Sequence, residues 1–68
     1  MNTSNITPER ILKLAEVKSR TSCSTTFIYE KISTGEFPKQ LQITPRSVGW
    51  LESEINGWIA EKAAQRIA

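Results

Sequence analysis

At 68 residues, 38% of them hydrophobic, the chain makes one small domain; with no histidine, no aspartate and one cysteine it lacks Ser-His and Cys-His nucleophile pairs, imidazole metal ligands and internal disulfides. No apolar run approaches the ~18 residues of a membrane span, and the polar start Met1-Asn2-Thr3-Ser4-Asn5 has no apolar centre, so the expectation is a cytoplasmic protein without enzyme chemistry, cofactor or metal. The net charge of +2 is uneven: seven basic residues (Arg10, Lys13, Lys18, Arg20, Lys31, Lys39, Arg46) against three acidic ones (Glu16, Glu30, Glu36) put +4 in the middle of the chain and leave −2 for its ends, a bias that suits a polyanion.

In chain order, residues 1–9 are expected to be a flexible lead-in and residues 10–68 one folded domain. Thr7-Pro8-Glu9 offers a helix start with Pro8 at the first position, but the following apolar phase favours an extended Ile11-Leu12. Leu14 and Val17, set among Lys13, Glu16 and Lys18, predict a short amphipathic helix over residues 14–20. Thr21-Ser22-Cys23-Ser24 is a tight polar turn, with Ser24 placed as an N-cap. A second helix follows over residues 25–34, with Ile28 and Ile32 as its buried stripe and Gly35 as its stop.

Beyond Phe37-Pro38, Leu41 and Ile43 alternate with Gln40, Gln42 and Thr44 and predict a half-buried strand. Thr44-Pro45-Arg46-Ser47 reads as a four-residue hairpin tip, after which Val48 and Trp50 alternate again. Leu51, Ile55, Trp58, Ile59, Ala63 and Ile67 then recur at helical spacing, giving a last helix over residues 51–66. Gly57 inside it implies either a close neighbour or a tolerated loss of about 1 kcal/mol. The predicted fold is mainly α with a small β-hairpin, a winged helix-turn-helix.

Placing Ile28 and Ile32 inward turns Thr26, Glu30 and Ser33 outward, with Phe27 and Tyr29 on the flanks and Thr25 exposed at the helix start. A helix of this kind meets DNA with its N-terminal residues, so the candidate contacts are Thr25, Thr26, Tyr29 and Glu30. Glu30 has two readings: a carboxylate paired with a nearby cation and tilted away, or an acceptor for the cytosine N4 amine. Tyr29 either reaches a phosphate or packs beside the core; Phe27 is expected to pack. Lys31 suits a backbone phosphate, and Arg46 at the hairpin tip suits the minor groove, with Lys39 and Gln42 supporting it from the strand. Cys23 reads as a small buried side chain, Trp50 and Trp58 as core, and Glu52, Glu54 and Glu61 as a solvated helix face.

The runs Leu12-Lys13-Leu14-Ala15-Glu16-Val17, Thr21-Ser22-Cys23-Ser24, Phe27-Ile28-Tyr29-Glu30-Lys31-Ile32, Gly35-Glu36-Phe37-Pro38 and Pro45-Arg46-Ser47-Val48-Gly49-Trp50, with Ile55 and Trp58 behind them, resemble the AlpA family of prophage regulators. Thr26-Phe27-Ile28-Tyr29 with Gly35 and Pro38 is also similar to the Tor inhibition protein, a prophage excisionase of related build. The resemblance covers roughly residues 11 to 60 and implies a MerR-like winged helix. It implies regulation of prophage genes, excisionase-type control of a recombinase, or both, through DNA bending and recruitment of phage integrase. The family often carries arginine where this chain has Thr25 and Glu30, which moves the expected electrostatic grip toward the wing and phosphate contacts.

The expected partner is therefore double-stranded DNA, bound in the major groove by the second helix and in the minor groove by the wing. The protein is expected to be a monomer in solution that assembles cooperatively on DNA. The competing reading is a protein-interaction module that inhibits an integrase or a response regulator without needing DNA, using the last helix and Glu30.

Overall fold

The computed structural model describes residues 9–66; Thr7, Pro8, Ile67 and the lead-in of residues 1–8 lie outside the described residues. The elements run β1 (Ile11–Leu12), α1 (Leu14–Thr21), α2 (Thr25–Ser33), β2 (Leu41–Thr44), β3 (Ser47–Leu51) and α3 (Glu52–Ala64). This is a winged helix-turn-helix, mainly α with a small antiparallel sheet. The sheet has three strands in the order β1-β3-β2, so the extended Ile11-Leu12 is no isolated segment: Leu12 pairs with Trp50 and Ile11 with Leu51.

The two helix stops explain the helix-turn-helix. Ser22 follows α1 in the left-handed region (φ 59), donating its backbone N–H to Lys18 O at 2.8 Å. A non-glycine residue there carries a strain of roughly 1–2 kcal/mol. Ser24 then caps α2, its hydroxyl accepting from the Phe27 amide at 3.1 Å. At the far end Glu36 N–H reaches Lys31 O (2.8 Å) and Gly35 N–H reaches Ile32 O (3.1 Å), with Gly35 at φ 79. That paired closure satisfies two carbonyls the helix end leaves over, and it needs a residue without a Cβ penalty at Gly35.

The core draws one side chain from almost every segment: Leu12 from β1, Val17 from α1, Ile28 from α2, Phe37 from the α2–β2 connection, Trp50 from β3 and Ile55 from α3 are all buried. Leu14, Cys23, Ile32, Val48, Trp58 and Ile59 pack around them partly buried. β2 contributes nothing to this core. Its four residues are all exposed, Leu41 at 37% and Ile43 at 45%, so the expected half-buried strand is corrected. Alternation was present, but β2 is an edge strand and its apolar residues point to the outer face. Leu41 lies opposite Gly49, and a Cβ at Gly49 would stand 2.5 Å from Ile11 Cγ2 and 3.6 Å from Ile43 Cγ1. The hairpin tip is also tighter than expected: Thr44 pairs with Ser47, leaving only Pro45 and Arg46 between the strands.

α3 begins one residue later than its apolar pattern suggested, because Leu51 closes β3. Leu51 offers no side-chain cap; Glu9 supplies one from outside, its carboxylate accepting the Ser53 amide (3.1 Å) and hydroxyl (2.9 Å). These two bonds, the amide first and the hydroxyl next, hold the Glu9 carboxyl below its usual range. Glu52 is not on a solvated face as expected. It accepts Arg20 at 2.9 Å and Arg10 at 3.5 Å, while Arg20 also holds Glu16 at 2.9 Å, tying α1 and the residue before β1 to α3. Ala60, Ala63 and the rest of the last turns of α3 are exposed, so Ala63 falls outside the packed stripe.

Two glycines separate by what surrounds them. Gly57→Ala meets open space on a helix and is expected to stabilise the domain by about 1 kcal/mol, whereas Gly49→Ala, crowded also by Leu12 O at 3.1 Å, is expected to cost about 1–3 kcal/mol; thermal midpoints should move in opposite directions. Glu9 gives a pH signature. Because its folded pKa is depressed, its contribution is present above the usual carboxylate range and lost as pH falls through that range into the depressed folded value. Urea midpoints of the wild type and Glu9→Gln should therefore differ at neutral pH and converge in acid; a gap that widens in acid would reject the cap.

Candidate functional site

The seven side chains singled out from the sequence fall on one stretch of chain: Thr25, Thr26, Tyr29, Glu30 and Lys31 on α2, Lys39 in the connection after it, and Arg46 at the tip between β2 and β3. Thr26, Glu30, Lys39 and Arg46 are exposed, and Thr25 is half-buried instead of open. Ser24 caps the Phe27 amide, so the amides of Thr25 and Thr26 at the start of α2 are the donors that a helix leaves over.

Tyr29 is both packed and open: its ring meets buried Trp50 edge-on, centroids 6.3 Å apart at 61°, while 37% of the residue stays exposed. Phe27, expected to be packed, is equally open, and the Lys31 ammonium lies 5.5 Å from its ring centroid. Lys31 also holds Glu36 at 3.4 Å, so part of its charge is already answered within the chain. Glu30 behaves differently from its paired reading. It is exposed, and no basic side chain of the described residues lies within ion-pair distance of it. The nearest cation along the helix, Lys31, has turned to Glu36.

The wing is built to hold its tip still. Gln42 donates to Thr44 O and, more distantly, to Ser47 O; Thr44 Oγ1 accepts the Arg46 amide at 3.1 Å and shares a 2.8 Å hydrogen bond with Ser47 Oγ. Gln42 thus supports Arg46 by bracing the turn. Lys39 stands outside β2, in the connection. Neither Lys39 nor Arg46 meets a carboxylate among the described residues, and the same holds for exposed Lys13, just before α1, and exposed Lys18 on it. Lys13 and Lys18 were not among the predicted contacts; their only sequence signal was membership of the basic middle of the chain.

What sets helix and wing relative to each other is the connection Gly35–Gln40. Both tryptophans grip it: Trp50 donates its indole N–H to Pro38 O at 2.9 Å, and Trp58 donates to Glu36 O at 3.0 Å. Phe37 between those carbonyls is buried, its ring 4.9 Å from Trp58. Trp50 is fully buried as expected, and Trp58 half-buried. Cys23 is half-buried against the core. Among the described residues no group of three or more Cys, His, Asp or Glu is placed to hold a metal ion, and no helix is long and apolar enough to cross a membrane.

Comparison with known proteins bears on this arrangement. Residues 10–63 match the family described as "Prophage CP4-57 regulatory protein (AlpA)", a span that takes in every described element except the last residue of α3. The chain is 42% identical over 62 residues to "Uncharacterized protein ORF88" of Enterobacteria phage P4, covering 91% of this chain and 70% of that protein. It is 32% identical over 59 residues to "DNA-binding transcriptional activator AlpA" of Escherichia coli (strain K12), covering 78% of this chain and 84% of that protein.

The indole grip on the connection is directly testable. Trp50→Phe removes a buried donor, strands Pro38 O and leaves a void, for an expected loss of about 2–4 kcal/mol. Trp58→Phe frees a carbonyl that water can reach and should cost about 1 kcal/mol or less. Urea unfolding of the two variants should rank them in that order.

Proposed function

This chain belongs to the AlpA family of prophage regulatory proteins, and from that premise we propose that it binds double-stranded DNA without catalysing a reaction on it. In this reading α2 enters the major groove through Thr25, Thr26, Tyr29 and Glu30, Lys31 and Lys39 meet backbone phosphates, and Arg46 enters the adjacent minor groove. The observation that carries it is the pair of unpaired cations, Lys39 and Arg46, on the segment running from the open face of α2 to a braced hairpin tip. Two cations without internal partners, on the segment that follows an exposed helix face, form a surface that a polyanion complements.

The biological setting that fits is cytoplasmic control of prophage genes, of prophage excision, or of both. As an excisionase the protein would bend DNA and recruit phage integrase, as a monomer that assembles on the duplex. The domain proposed to do this is residues 10–68, residues 1–9 being a lead-in whose Glu9 carboxylate caps α3. The inhibitory protein-interaction reading makes no use of Lys39 or Arg46, and the variants below separate the two.

Electrophoretic shifts of a duplex from the chain's own promoter or prophage attachment region should weaken steeply with salt. The slope of log affinity against log salt should fall by about 0.9 in Lys39→Ala, which removes a phosphate contact, and Arg46→Ala should weaken binding by removing the cation from the minor groove. A shift that persists unchanged in both variants, or no salt-dependent shift at low ionic strength, would remove DNA binding through this face.

A further inference from the structure

We infer that Glu30 is a base reader: its carboxylate accepts the N4 amine of a cytosine in the major groove and so sets one position of the recognised sequence. The inference rests on the proposed seating of α2 in that groove.

At about 100° per residue Glu30 falls nearly opposite the stripe made by Ile28 and Ile32, at the centre of the outward face. The positions that neighbour it on the helix surface, three and four residues away, are Thr26, Phe27, Ser33 and Thr34, none of them a cation. The adjacent Lys31 pairs with Glu36, and Arg20 is held by Glu16 and Glu52. Of the neighbouring hydroxyls, Ser33 donates to the Glu30 backbone carbonyl at 2.6 Å and Thr34 to Lys31 O at 3.0 Å, neither to the carboxylate. The carboxylate therefore reaches a DNA surface with its charge unanswered.

An unanswered carboxylate among phosphates is repelled unless a base edge offers it a donor. Two bases offer an amine in the major groove. Adenine places the N7 acceptor beside its N6 amine, which opposes a second carboxylate oxygen; cytosine has no acceptor beside N4 on that edge. Guanine presents two acceptors, O6 and N7, and would repel the side chain outright. Glu30 thus discriminates by repulsion from the wrong base as well as by attraction to the right one.

The test is selection of bound duplexes from a randomised library by the full chain, in parallel for the wild type, Glu30→Gln and Glu30→Ala. Far-UV circular dichroism should be the same for all three, since Glu30 is exposed. The wild type is expected to enrich a cytosine at one position, roughly tenfold or more over guanine, Glu30→Gln to move that position to adenine, and Glu30→Ala to flatten it, with the remaining positions unchanged. Retention of the same cytosine by all three proteins would overturn the assignment. So would salt-dependent binding of every duplex alike by the wild type, an outcome that leaves DNA binding itself intact. Failure of the wild type to retain any duplex would instead defeat the seating of α2 and the assignment with it.

Discussion

The structure turns on Trp50. It is fully buried in the central strand, it pairs across to Leu12 of β1, its ring meets Tyr29 of α2, and its indole N–H holds Pro38 O in the connection between α2 and the hairpin. One residue thus joins the strand before the first helix through its backbone, and the second helix and the approach to the wing through its side chain. A domain of this size has a total stability of roughly 3–10 kcal/mol, so a residue that joins three segments determines whether they keep one arrangement. Trp58 repeats the device from α3, on Glu36 O two residues earlier. Helix and wing are consequently set at a fixed spacing by two indole donors acting on backbone, which no exchange of apolar side chains alone would provide.

Much of this was legible from local pattern. The helix-turn-helix follows from Ser24 as a cap, Gly35 as a stop and the Ile28–Ile32 stripe, all of which act within one or two turns of chain. The limits appear wherever the partner is distant. The alternation at Leu41 and Ile43 is real, but which face is buried depends on where Gly49 and Ile11 lie, and no local signal carries that. Glu52 looked like surface because its partners, Arg10 and Arg20, are far off in the chain. The candidate contacts on α2 could be placed from helical arithmetic; whether Glu30 was paired could not, because the outcome rested on Lys31 choosing Glu36 over it.

Internal pairing also redraws the charge of the molecule. Arg10, Arg20 and Lys31 are engaged by Glu52, Glu16 and Glu36, which removes much of the apparent basic excess of the middle of the chain from availability to a partner. The unpaired cations there are Lys13 just before α1, Lys18 on α1, Lys39 in the connection and Arg46 at the hairpin tip. None of the four lies on α2 itself. The outward face of α2 carries hydroxyls and one carboxylate, while the unpaired cations sit on other segments; in the proposed DNA complex this divides the work, phosphate attraction falling to those cations and the response to the groove to α2.

The cap that Glu9 places on α3 has a consequence for the order of folding. Glu9 and Ser53 are 44 residues apart, and Glu52 N–H is likewise taken by Arg10 O. α1, α2 and the hairpin can each form from near neighbours, but the start of α3 keeps exposed amides until β1 has found its place beside β3. Closing so long a loop is slow compared with forming a helical turn, so the long-range strand pair and the ordering of the last helix should arrive as one late, cooperative step.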